Sequence, residues 1–134
     1  MQQVLMLVLS LHILSTIFWA GSTFTLARLG GTGAERLFRP QMIAATVAIL
    51  SGGTMGHLVH SGALGRGELL LVAGALCSVL ALLVQGFLVG PILKRLQPDN
   101  PDEAIARSRA TRAHRMAAVL LALAAVLMAT ARYA

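Results

Sequence analysis

Three long stretches of this chain carry no formal charge: Val4 to Ala27, Gln41 to Gly65 and Leu69 to Leu93. A helix needs roughly 20 apolar residues to cross a hydrocarbon core about 30 Å thick, so each stretch is long enough to span a bilayer. A fourth stretch, Met116 to Ala131, is shorter. It spans if Arg115 and Arg132 stand at its ends and extend their guanidinium groups to the two interfaces. Hydrophobic residues make up 57% of the chain, too many for a water-soluble domain, and the length suits one bundle only. The expected architecture is all-α: an integral membrane four-helix bundle of up-down topology. It forms one domain over 1–134, with spans near 4–27, 41–63, 68–93 and 113–132. Soluble enzyme classes are excluded.

The formal charge of +6 invites a nucleic-acid reading, but the placement of the cations argues against one. Arg28, Arg36, Arg39, Lys94, Arg95, Arg107, Arg109, Arg112 and Arg115 fall on one side of the spans, and Arg66 and Arg132 on the other. Cytoplasmic loops are enriched in Lys and Arg, so the loops at 28–40 and 94–112 are expected in the cytoplasm and both termini on the outer, periplasmic side of a bacterial inner membrane. The basic run Arg107 to Arg115 is expected to meet anionic lipid head groups.

The opening Met1-Gln2-Gln3 lacks the positive region of a secretory signal, so the first stretch is expected to be a helix of the bundle. Cys77 has no partner and is expected to pack as a small residue. Gly30-Gly31-Thr32-Gly33 reads as a turn, because no strand precedes it and no Gly-Lys-Ser/Thr follows. Pro40 is expected in the first turn of helix two. Pro98 breaks the chain. Asn100-Pro101-Asp102-Glu103 reads as a capped start that puts the beginning of helix four near residue 101, with the helix then crossing the cytoplasmic interface. Small residues let helices approach closely in membranes, which points to Gly52 with Gly56, Gly86 with Gly90, and the alanines of helix four. Such spacings suit contact within one chain or within a homo-oligomer.

Ionisable side chains are costly in a bilayer and mark candidate sites. His12 lies on a stripe with Ser15, Thr16, Trp19, Ser22 and Thr23, and His57 and His60 lie three apart on helix two beside Gly53 and Gly56. Counted from Ala27 and Gln41, His12 and His57 stand almost equally far along the chain from the cytoplasmic ends of their helices. At about 1.5 Å per residue both are roughly 23 Å up. Two imidazoles at matched height suit the two axial positions of a haem iron, so His12 and His57 are the expected iron ligands, with His60 in reserve. Arg66 and Arg132 are expected to pair with the propionates. Trp19 would wall the site or pack in the core. His114, among arginines, is expected at the interface. Gln85 is expected to hydrogen-bond across the bundle, and with His114, Ser22 and Thr23 it could line a quinone pocket. Imidazole with thioether also suits copper, with Met55 and Met6 at hand.

Leu11-His12, Trp19, Gly21 and Arg28, followed by Glu35-Arg36-Leu37-Phe38-Arg39-Pro40 and a helix with Gly52 and Gly53, form a pattern that resembles the short membrane-bound bacterial protoporphyrinogen oxidase family. It resembles the membrane domain of copper-resistance protein D more loosely. The match covers roughly residues 8–55. The resemblance implies a four-helix membrane protein that binds haem b, with His12 in the place of the family's helix-one histidine ligand. The family has a lysine near the start of helix three and an Asn-Glu-Pro element before its last helix. This chain has Glu68 near the first position and lacks the second, so the resemblance carries haem binding further than it carries protoporphyrinogen oxidation. The expected function is therefore membrane electron transfer or a haem-linked redox step, exchanging electrons with quinone or a partner protein. Copper binding or transport, and a cofactor-free accessory subunit of a membrane complex, are the alternatives.

Overall fold

The computed structural model describes residues 2–59, 62, 65–96 and 99–134. Four long helices account for nearly all of them: α1 (Gln2–Arg28), α2 (Ala34–Val59), α3 (Arg66–Leu93) and α4 (Glu103–Ala131). By length and composition α1, α3 and α4 are apolar enough to cross a membrane. The inward share of each is small. Within the most apolar window only 6% of α1, 11% of α3 and 33% of α4 is buried inside the protein. The rest presents leucine, isoleucine, valine and phenylalanine outward, an arrangement that suits lipid as the surrounding solvent.

Local chemistry sets the breaks. Gly30, Gly31 and Gly33 take positive φ (64°, 74° and 85°), which only glycine adopts without strain. The Gly31 N–H returns to the Leu26 carbonyl to close the end of α1. This tight turn lets α2 begin at Ala34, well before the expected Gln41, so Pro40 sits inside the helix and not in its first turn. At the other connection Asn100 Oδ1 accepts from the Asp102 N–H, an Asx turn, and α4 starts at Glu103, slightly later than expected. Pro98 lies outside the described residues.

α3 is α-helical to Val84, π-helical over Gln85–Val89 and α-helical again over Gly90–Leu93. Pro91 has no N–H to donate and its ring would collide with the Phe87 carbonyl in a regular α-helix. Widening the preceding turn, so that the Gly90 N–H bonds back to Gln85, removes that collision.

The helices pair as two antiparallel hairpins, α1 with α2 and α3 with α4. The hairpins meet mainly through α1 and α4, and α2 and α3 touch sparingly. The core lies towards the end of the bundle that carries the α1–α2 and α3–α4 connections. Buried residues run from Ser15 to Ala27 on α1, Ala34 to Ser51 on α2, Gly74 to Val89 on α3 and Ala106 to Ala124 on α4. The contacts that join the hairpins lie there too: Trp19 to Gln85, Gly31 to Thr111, Gly90 to Phe38, and Arg107 to Glu35. Towards the other end His12 lies on Gly52, and Gly74 lies against Met128.

Of the small-residue pairs expected to pack, Gly52 and Gly90 do, whereas Gly56 and Gly86 have nothing within 4 Å of a would-be Cβ. On α4 the buried stripe is Ala106, Ala110, Ala113, Ala117, Leu121 and Ala124, whose steps of three and four keep one face turned to the core. Ala122, Ala125 and Ala129 face outward.

Candidate functional site

Trp19, Ala45, Ala81 and Ala117, one from each helix, belong to a single buried apolar cluster. One helical turn towards the basic end from each stands a polar residue: Thr23, Gln41, Gln85 and His114, all 0% exposed. Stepping by four along α1, α2 and α3, and by three along α4, keeps the same inward face, so the four polar side chains form a second layer beneath the first. Hydrogen bonds tie most of it together. Trp19 Nε1 donates to Gln85 Oε1 (2.6 Å), and Gln85 Nε2 donates to Thr23 Oγ1 (2.8 Å). Gln41 Nε2 donates to Thr23 Oγ1 (2.8 Å) and to Ser22 Oγ (3.1 Å). Thr23 in turn donates to the Trp19 carbonyl (2.7 Å). Its hydroxyl thus uses its one donor and both lone pairs. Gln85 bonds across the bundle as its isolation in an apolar helix led us to expect, and Trp19 is wholly in the core.

Gln41 was not singled out from the sequence, because it sat at the expected edge of a span. The visible signal was its spacing, four before Ala45 and seven before Ala48 on the inward stripe.

His114 corrects an expectation. It is not an interfacial residue among arginines but fully buried, because it falls on the stripe with Ala110, Ala117 and Leu121 while Arg112 and Arg115 point outward. Among the described residues neither ring nitrogen has a hydrogen-bond partner, nor does Gln41 Oε1. An imidazole held dry without partners costs about 1–3 kcal/mol. His114→Leu, which keeps most of the volume, is therefore expected to stabilise the protein by about 1 kcal/mol, and His114→Ala to destabilise it by opening a cavity. Thermal unfolding in detergent, followed by Trp19 fluorescence, measures both; a less stable His114→Leu protein would mean that the imidazole is paired after all.

The structure places His12 on the same α1 stripe as Ser15, Trp19 and Thr23, half-buried against α2. Its Nδ1 lies 2.9 Å from the Ala48 carbonyl oxygen and 3.2 Å from Ser51 Oγ. A carbonyl only accepts, so Nδ1 carries the proton and the lone pair is on Nε2. Ser51 gives its own proton to the Val47 carbonyl, leaving its oxygen free to accept. The ring lies against Gly52, where a Cβ would stand 2.9 Å from His12 Cε1.

The described contacts of His12 are with Ala48, Ser51 and Gly52, not with His57. Because α2 starts early, His12 is level with Ala48 to Gly52, and His57 lies further along α2, about 7.5 Å along the axis and about 140° around it from Gly52. Its side chain is exposed. His60 lies outside the described residues. Arg66 and Arg132 are exposed on the other hairpin, drawn to one corner by the close approach of Gly67 to the Ala131 carbonyl. Met55 is on the His12-facing stripe of α2, one turn beyond Ser51, and Met6 is exposed. Among the described residues no group of three or more His, Cys, Asp or Glu gathers to hold a metal ion.

No protein-family model, no curated protein and no solved structure matches this chain.

Proposed function

We propose that the chain is a small multi-pass protein of a bacterial inner membrane that holds haem b at His12 and serves electron transfer or a haem-linked redox step. The observation that carries this reading is the state of His12: Nδ1–H is fixed on the Ala48 carbonyl, and Nε2 has no hydrogen-bond partner among the described residues. Metal-binding histidines are oriented by just such a bond from the other ring nitrogen, which sets the tautomer and strengthens the ligand. Gly52 lets the His12 ring lie close against α2, and Arg66 and Arg132 supply cations for carboxylates at the same end. When bound, the iron supplies one-electron chemistry. The chain's part is to orient His12 and to keep water from it. The outward apolar faces and the gathering of nine of the eleven cations at one end support four spans with that end in the cytoplasm and both termini outside.

The test is an absorption spectrum of the detergent-purified protein from haem-replete cells, oxidised and then dithionite-reduced. The wild type is expected to show a Soret band, with α and β bands that sharpen on reduction. His12→Ala is expected to lose them, and His57→Ala to keep them. A colourless wild-type protein, or a His12→Ala protein with the full spectrum, would sink the reading. Copper is the second reading, favoured by the thioether of Met55 one turn from His12 on the facing stripe, and metal analysis of the same preparations decides it.

A further inference from the structure

Between the end of α3 and the start of α4 runs an open groove of about 590 Å³. Its deeper wall is apolar, with Phe87, Leu88 and Met116, and its shallower part carries Arg95, Arg109 and Arg112 with the carboxylate of Asp102. Three guanidinium groups against one carboxylate leave a net +2. None of the three arginines makes an ion pair with a described residue, whereas Arg107, on another face of α4, is held by Glu35 and Glu103. The periodicity is ordered. Arg109, Arg112 and Met116 are three and four apart on α4, and Leu88 and Ile92 on α3 lead to Arg95 in the turn that follows it, so both walls lay cation and then hydrocarbon along the same trough. The π-turn at Gln85–Val89 shifts the face of α3 at this point, and Phe87 is left 75% exposed.

We infer that this groove is a binding site for one anionic phospholipid, its phosphate held by Arg95, Arg109 and Arg112 and an acyl chain lying along Phe87, Leu88 and Met116. Guanidinium groups engage phosphate oxygens in pairs of parallel hydrogen bonds, which a scattered basic surface does not arrange. The inference rests on the membrane location proposed above and not on the haem.

The experiment uses the full-length protein in nanodiscs of phosphatidylcholine containing a minor share of phosphatidylglycerol, with retained lipid counted by native mass spectrometry. The wild type is expected to keep one phosphatidylglycerol in preference to phosphatidylcholine. Arg109→Gln/Arg112→Gln should lose that preference by roughly 25-fold, about fivefold for each arginine near a membrane surface. Arg36→Gln/Arg39→Gln removes the same charge away from the groove and should keep the preference. Equal losses in the two variants, or no preference in the wild type, would overturn the inference, as would complete displacement of the lipid by inorganic phosphate, which would leave the apolar wall without a role. Insertion into the nanodisc with helical circular dichroism, scored separately, reports on the membrane reading itself.

Discussion

Replacing Gln85 by leucine is expected to destabilise the bundle by about 2 kcal/mol, the cost of leaving one buried donor without an acceptor. The arithmetic follows from what each partner retains. Thr23 loses the Gln85 amide but still accepts from Gln41 and donates to the Trp19 carbonyl, so its hydroxyl stays paired. Trp19 Nε1 has Gln85 Oε1 as its partner in the described structure, and at 0% exposure no solvent can replace it. Trp19→Phe removes the donor itself. In a double-mutant cycle the Gln85→Leu penalty should therefore shrink by most of its value in the Trp19→Phe background, a coupling of about 1–2 kcal/mol. Trp19 is the chain's only tryptophan, so a change in its emission on Gln85→Leu reports the same bond. Additive penalties, with unchanged emission, would show that the indole and the amide are not joined.

The positions of those two residues show where the sequence was legible. The number of helices, and the apolar character of α1, α3 and α4, could be read from uncharged runs, because a charge is costly in hydrocarbon and its absence over roughly 20 residues is seldom accidental. The inward face of α1 was legible as well: His12, Ser15, Trp19 and Thr23 keep steps of three and four, and all four lie on the side of α1 that meets the rest of the bundle. Gln85 stood out because a lone amide in an apolar helix needs a partner.

Register was not legible. The starting point of α2 depends on how tightly Gly30 to Gly33 can turn, and three positive-φ conformations so close together are a tertiary outcome that composition does not disclose. With α2 starting at Ala34, Gln41 lies level with Ser22 and Thr23 and not with Ala27, a shift of about 7 Å along α1. The expected register put His57 level with His12 and hid Gln41 at the edge of a span. His114 was obscured differently. Its arginine neighbours in sequence point away from it in space, and the stripe of alanines on which it lies has no polarity contrast to mark the core side. The same applies to glycine. The pairs spaced by four drew attention, while Gly67 and Gly74, spaced by seven on one face of α3, make the close approaches to α4.

The hydrogen-bonded layer and the proposed haem ligand thus lie apart along the bundle. The basic half is sealed by the apolar cluster and the hydrogen-bonded layer beneath it, and it holds the hairpins together. His12 lies beyond that layer, half-buried against α2. Substitutions in the polar layer should therefore act on stability first, and substitutions at His12 on cofactor content with little effect on stability, because removing His12 leaves Ala48 and Ser51 their helical hydrogen bonds.

Gly74→Leu is expected to cost about 3 kcal/mol, at the upper end for overpacking a tight interface. A Cβ at residue 74 would stand 2.9 Å from Met128 Cγ and 3.2 Å from the Ala124 carbonyl oxygen. Met128 can swing aside, since it is a flexible thioether. The carbonyl cannot, being fixed in α4, so a leucine must push α4 away along the longest interface in the bundle. Gly74→Ala meets the same atoms with one carbon and should cost about 1 kcal/mol. Met128→Ala in the Gly74→Leu background removes the movable obstacle and leaves the fixed one, so it should restore part of the loss and no more. Unfolding of the three variants by sodium dodecyl sulfate in mixed micelles ranks them. A Gly74→Leu protein as stable as the wild type would mean that α3 and α4 are not in contact at this glycine, and full rescue by Met128→Ala would mean that the side chain, and not the backbone of α4, sets the distance between the helices.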